Sequence, residues 1–189
     1  VLILSPYEAN RNDRVLDKTG VAVVRMVDYM ETTPLGRAEW LKLLGAMYGD
    51  LDKATAQYDA TARKYREISQ RMALCDVRPM VLTDTEISGT WYMPGGGSYA
   101  ACMIYDAGGM VPWSDNASTG SLPCDYAAVY ERASEAPVWI MRTFGPITLA
   151  DLRKANALNG NIKALKVGNV YYTDTSTGTF FDDIAFHPD

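Results

Sequence analysis

Histidine is almost missing from this sequence: His187 is the single one in 189 residues. Cysteine is scarce too, occurring only at Cys75, Cys102 and Cys124. These form no Cys-x-x-Cys pair, and one histidine cannot form a His-x-x-x-His pair, so no metal site is readable. The three thiols read as small buried hydrophobes. Basic residues are outnumbered, 18 Lys and Arg against 23 Asp and Glu, for a formal net charge of −5. A chain without a basic face is a poor partner for nucleic acid, whose phosphates must be met by Lys and Arg. There is no run of five like charges and no low-complexity tract. No apolar stretch approaches the ~18 residues of a membrane span, and no secretory leader is readable.

What remains is an ordinary globular composition, 48% hydrophobic and 22% charged. The sequence opens on Val1-Leu2-Ile3-Leu4, an apolar run of strand type. A natural chain rarely begins inside a core strand, so the N-terminal part of a larger protein is expected to be missing. A polar stretch leads into a short helix ending near Thr19, Gly20 closes it, and residues 21–24 read as a second strand. Strand, helix, glycine, strand is the signature of a parallel sheet.

Thr33-Pro34 is a helix start, with Thr as N-cap and Pro at the first helical position. Leu35, Ala38, Leu41, Leu44 and Met47 follow at helical spacing until Gly49. A second helix carries the stripe Leu51, Ala54, Tyr58, Ala62, Tyr65, Ile68 and Met72. At 1.5 Å per residue it spans roughly 33 Å, long for one small domain and suited to a strut between lobes. Beyond Asp76, residues 78–83, 89–93, 138–141 and 167–172 read as strands. Residues 99–107, 126–134 and 149–158 read as helices, and 116–123 as a loop. This is again a βα alternation.

The run Pro94-Gly95-Gly96-Gly97-Ser98 lacks the Gly-Lys-Ser/Thr of a P-loop, and no acidic residue is suitably placed for a dinucleotide fingerprint. Two readings stay open. Bare backbone amides and a Ser98 N-cap could face a ligand. Alternatively, Gly96-Gly97-Ser98-Tyr99-Ala100 could be a nucleophile elbow, completed by Asp182 or Asp183 and His187 in hydrolase order. Trp91 and Tyr92 adjoin this loop, where a parallel strand would deliver side chains to a crevice. Aromatic and charged residues near other loops include Tyr7, Tyr29, Glu31, Arg37, Arg142 and Phe181.

The string Tyr29-Met30-Glu31-Thr32-Thr33-Pro34-Leu35-Gly36-Arg37-Ala38-Glu39-Trp40 resembles the entry to the linker region of periplasmic solute-binding proteins of ABC importers. The class is the helical-backbone one that captures iron-siderophores, haem or cobalamin. Residues 91–99, Asp106-Ala107-Gly108-Gly109 and Ala136-Pro137-Val138-Trp139-Ile140 resemble landmarks of its C-terminal lobe, with a Bacteroidetes flavour. The resemblance implies an α/β fold of two Rossmann-like lobes joined by a long helix. Residues 1–50 would be a remnant of the N-terminal lobe, 51–73 the spanning helix, and 77–189 the C-terminal lobe.

It further implies an inter-lobe ligand site, with Tyr7, Tyr29, Glu31, Arg37, Trp91, Tyr92, Gly96, Ser98, Arg142 and Phe181 as candidates. It implies no resident cofactor and no chemistry on the ligand. The expected partners are an inner-membrane ABC permease and a chelate ligand, and the expected location is the periplasm or a cell-envelope lipoprotein. Self-association is expected of a chain lacking most of one lobe. One departure stands out. The acid that docks the family's C-terminal lobe to permease arginines falls near Ala127 or Ala128 here, with Glu131 one turn later. A serine hydrolase, or a sensor or adhesin on the same lobes, are the alternatives.

Overall fold

The computed structural model describes residues 1–4, 16, 18–143 and 145–174. The chain divides into two compact units, Val1–Glu31 and Thr32–Asp189. The boundary expected at residue 50 falls inside the second of these.

In the first unit, β1 (Leu2–Leu4) and β2 (Val23–Arg25) pair in parallel, with Leu2 opposite Val23. A 3-10 turn, Asp28–Met30, follows. The helix expected between the strands falls mostly outside the described residues.

The second unit opens with α1 (Pro34–Tyr48). The Thr33 hydroxyl accepts a hydrogen bond from Gly36 N at 3.2 Å, filling one of the donors a helix start leaves open. Gly49 ends the helix at φ 79°, a left-handed cap that glycine adopts without strain. Next comes α2 (Leu51–Ala73), 23 residues long. Gly45 lets the two helices approach, since a Cβ there would collide with Ala54. The middle of the expected stripe, Ala54, Tyr58, Ala62 and Tyr65, is buried, whereas Leu51 and Ile68 at its ends are exposed. Lys53, Asp59, Arg63, Lys64, Arg66, Glu67 and Arg71 lie on the solvent side, as helical periodicity requires.

The remaining elements surround a parallel sheet of order β3-β6-β7, formed by Val81–Thr83, Val138–Thr143 and Val170–Asp174. A second sheet pairs β4 (Trp91–Pro94) antiparallel with β5 (Ser121–Cys124). The helices are α3 (Tyr99–Asp106), α4 (Tyr126–Ala133), α5 (Leu149–Ala155) and α6 (Lys163–Val167). Leu82, Trp91, Met93, Val129, Trp139, Met141, Leu152, Ile162 and Leu165 belong to one continuous core. Trp91 lies 5.7 Å from Trp139 and 5.8 Å from Tyr126, centroid to centroid.

Three local expectations change. Residues 121–124 form a strand rather than a loop, and their alternation half-buries Leu122 and Cys124. Pro123 is tolerated because its missing N–H lies on a two-stranded edge. The helix from Leu149 stops at Ala155, where Asn156 turns extended at φ −151° and caps the 3-10 turn Ala157–Asn161. The strand expected from residue 167 begins at Val170, because 163–167 form α6 and Gly168 ends it at φ 81°.

Candidate functional site

The parallel strands β3 and β6 run side by side, so their carboxyl ends emerge together. In open α/β sheets that edge is where ligands bind. Just beyond β3, Asp84 has φ 52°, a left-handed backbone that costs most L-residues about 1–2 kcal/mol. Three hydrogen bonds hold it there. Asp84 N donates to Ile140 O at 2.8 Å, and Trp139 Nε1 donates to Asp84 O at 2.7 Å. Trp91 Nε1 donates to the preceding carbonyl, Thr83 O, at 2.8 Å. So held, Asp84 presents its carboxylate to β6. Oδ1 accepts Arg142 N at 3.3 Å and stands 3.5 Å from Arg142 Nε. The Arg142 side chain itself is 65% exposed.

A tight hairpin leads from Asp84 into β4. Ile87 and Thr90 exchange two backbone hydrogen bonds across Ser88 (φ 53°) and Gly89 (φ 86°), the positive-φ pair that a two-residue hairpin favours. Glu86 Oε1 accepts Gly89 N at 2.7 Å. Because β4 pairs antiparallel with β5, it is not one of the parallel strands. Strand alternation then decides its two aromatics. Trp91 faces the core at 1% exposure, while Tyr92 faces outward at 51%. Trp91 is therefore a core residue and not a surface available to a ligand, a correction to its expected role.

The glycine run is also employed differently from expectation. Gly95 N donates to Gly120 O, Gly96 N to Asn116 O and Gly97 N to Ser118 O, at 3.0, 2.7 and 3.0 Å. Its amides are thus spent on the 116–120 loop and do not face a ligand. Glycine is required because the loop leaves no room. A Cβ on Gly96 would lie 2.7 Å from Ser114 O and 2.8 Å from Asn116 O. Ser98 is buried, and its Oγ caps α3 by accepting Ala101 N at 3.2 Å. That geometry suits a helix cap and not an exposed nucleophile. Asp182, Asp183 and His187 lie outside the described residues.

The Asp106-Ala107-Gly108-Gly109 motif binds the long helix. Tyr65 Oη on α2 donates to Asp106 Oδ2 at 2.7 Å and Ser69 Oγ to Oδ1 at 3.3 Å. Cys102 Sγ approaches Oδ2 at 3.7 Å. Burial, with help from the Asp106 carboxylate, raises the Tyr65 hydroxyl pKa and pushes the Cys102 thiol up to about 11. Gly108, at φ 84°, sits against Met72, where a Cβ would come within 3.3 Å of that side chain.

The remaining candidates are scattered. Tyr7 and Phe181 lie outside the described residues. Tyr29 is exposed and Glu31 half-buried in the first unit. Arg37 on α1 lies over the Tyr99 ring, 5.3 Å from its centroid. Glu131 is exposed on α4, beside Arg132, which donates to Pro112 O at 2.6 Å and to Asp115. Sequence reasoning missed Asp84. Its position directly after the strand-type run 80–83 marks a strand end, but nothing local announces its backbone or its partner 58 residues away. Among the described residues, no three His, Cys, Asp or Glu side chains cluster to hold a metal, and no helix is long and apolar enough to cross a membrane.

Comparison with known proteins fits this architecture. An uncharacterized lipoprotein of Methanocaldococcus jannaschii is 27% identical over 176 residues, covering 89% of this chain and 41% of that protein. The chain thus spans about two fifths of the length of the curated relatives it matches. Among solved structures, a Staphylococcus epidermidis protein described as a possible iron-binding, periplasmic solute-binding protein aligns with TM-score 0.69 at 15% identity. That alignment covers 97% of this chain and 69% of the other. The vitamin B12 binding protein of Vibrio cholerae aligns with TM-score 0.63 at 13% identity, covering 92% and 64%. The family model described as periplasmic binding protein matches residues 1–177, nearly the whole sequence, and the chain belongs to that family.

Proposed function

We propose that this chain belongs to the solute-binding component of an ABC importer, which captures a ferric chelate, haem or cobalamin-like ligand and passes it to a membrane permease. The family match over residues 1–177 carries the reading. Structural neighbours described as iron-binding and B12-binding support the ligand class. A lipoprotein relative supports an envelope-attached location. The hydroxyl of the candidate nucleophile motif, Ser98 Oγ, is buried as a helix cap.

Trp139 and Trp91 bond to the carbonyls at this edge, so tryptophan fluorescence should respond to a ligand there. Titration with haemin, ferric dicitrate, ferrichrome and cyanocobalamin is expected to give saturable quenching with at least one of them, matched by isothermal calorimetry. Absence of calorimetric binding for all four would overturn the reading. Covalent labelling of Ser98 by a fluorophosphonate would favour a hydrolase instead.

A further inference from the structure

We infer that the outer edge of β7 (Val170–Asp174) is a self-association surface, whose partner is the same edge of a second copy of this chain, paired antiparallel about a two-fold axis at Tyr172. The strand ends the sheet order β3-β6-β7 and pairs only with β6 among the described residues. Trp139 N donates to Asn169 O at 3.0 Å, so the peptide groups of Asn169 face β6. Alternation along the parallel pair gives those of Tyr171 and Thr173 to β6 as well. It turns the N–H and C=O groups of Val170, Tyr172 and Asp174 outward.

Sheet edges are normally blunted by lysine, proline, a bulge or a covering element. The sequence of β7 is Val-Tyr-Tyr-Thr-Asp, with neither lysine nor proline. Its register with β6 runs unbroken from Val170 opposite Trp139 to Asp174 opposite Thr143, so there is no bulge. Four of its residues are β-branched or aromatic, the types that favour strands. Tyr171 and Tyr172 are exposed, and so is Ile140, which stands opposite Tyr171. An apolar face therefore adjoins the edge, although parallel sheets ordinarily have both faces covered.

Self-complementarity selects a second copy as the occupant. Opposed residues of an antiparallel pair can exchange both backbone hydrogen bonds. An axis at Tyr172 sets Tyr172 against its own copy and Val170 against Asp174 of the other chain. Every outward N–H and C=O of the strand is then used. An axis at Tyr171 would instead set Asp174 against Gly168, whose φ of 81° takes it out of the strand. With the axis at Tyr172, Tyr171 meets Thr173 of the second copy, an aromatic and β-branched pair. Such pairing consumes both edges, so assembly closes at a dimer. A five-residue strand buries less than the ~800 Å² per partner of a standard interface, so the dimer is weak and reversible.

Sedimentation velocity on the whole chain over a wide concentration range should show a reversible monomer–dimer equilibrium. Residue-resolved hydrogen exchange should find the Tyr171 and Thr173 amides protected at every concentration. The Val170, Tyr172 and Asp174 amides should be protected only where dimer is populated. Tyr172→Pro removes an outward N–H that β6 does not use, and should weaken dimerisation at least about tenfold, since each copy loses a donor. Tyr171→Lys sets like charges diagonally across the axis and should also weaken it. Thermal melts establish that the variants are folded. Tyr171→Lys, at an exposed position, decides the matter if Tyr172→Pro melts early. A chain that stays monomeric throughout overturns the inference. So does protection of the outward amides at every concentration, which would mean that another segment of the same chain covers the edge. A dimer that the folded variants leave unchanged uses a different surface, and growth beyond a dimer excludes the closed two-fold. Either result overturns it.

Discussion

Truncating Trp91 to alanine should unfold this protein's second unit far more readily than it should alter any surface property. The indole is 1% exposed and packs between Trp139 and Tyr126 at centroid distances of 5.7 and 5.8 Å. Removing a buried aromatic of this size costs about 3–5 kcal/mol, counting the lost transfer energy and the residual cavity. The lost donor to Thr83 O adds about 1 kcal/mol. A domain has about 5–15 kcal/mol of stability to lose, so the urea midpoint should fall by about a quarter or more of its value. Tyr92, one residue on, is 51% exposed, and Tyr92→Ala should cost under about 1 kcal/mol. Trp91→Phe separates the two contributions, because it keeps most of the packing and loses the N–H. Equilibrium urea denaturation followed by far-UV circular dichroism measures all three. A loss below about 1 kcal/mol for Trp91→Ala, or comparable losses at both positions, would refute the inward assignment of Trp91 and the antiparallel register behind it.

Gly96→Ala should displace the 114–120 loop, since its Cβ would meet two carbonyl oxygens under 3 Å. Hydrogen exchange should speed up at residues 116–120 and stability should drop by about 1–3 kcal/mol. Unchanged exchange would refute the clamp. Tyr65→Asp should destabilise strongly by burying a charge beside the Asp106 carboxylate, whereas Lys64→Ala on the exposed face should stay within about 0.5 kcal/mol. Equal losses would mean that α2 is oriented otherwise. The Cys102 thiol, held at about 11 by burial and by Asp106, is protonated at neutral pH. Its alkylation should therefore be slow near pH 8 and rise about tenfold per pH unit until that value. Asp106→Asn removes the negative charge, lowers the thiol pKa and should speed alkylation at pH 8, as mass spectrometry of the Cys102 peptide can follow. No acceleration would mean that the carboxylate does not act on the thiol.

Helix boundaries were written locally. Thr33-Pro34 and Gly49 bracket α1 because a side-chain oxygen, a fixed φ and a missing Cβ act within one turn of chain. The interior of α2 was legible from its stripe, since a 3.6-residue period follows from backbone geometry alone. The pairing of β1 with β2 was legible from the order of strand, helix signal and glycine. The family was legible in short motifs spread along the chain. Only the tertiary structure decided the site. A run such as 89–93 carries the same apolar residues whether its neighbour is parallel or antiparallel. The partner, β5, lies some 30 residues on, behind the whole of α3, and it set Trp91 inward and Tyr92 outward. Three glycines announce open amides, yet hydrogen bonds from a distant loop consumed them, because buried N–H groups take whatever acceptor folding brings. Asp84 and Arg142 are unremarkable apart, separated by 58 residues. The parallel register of β3 and β6 makes them neighbours, and no local pattern encodes a contact created by the closure of so long a segment.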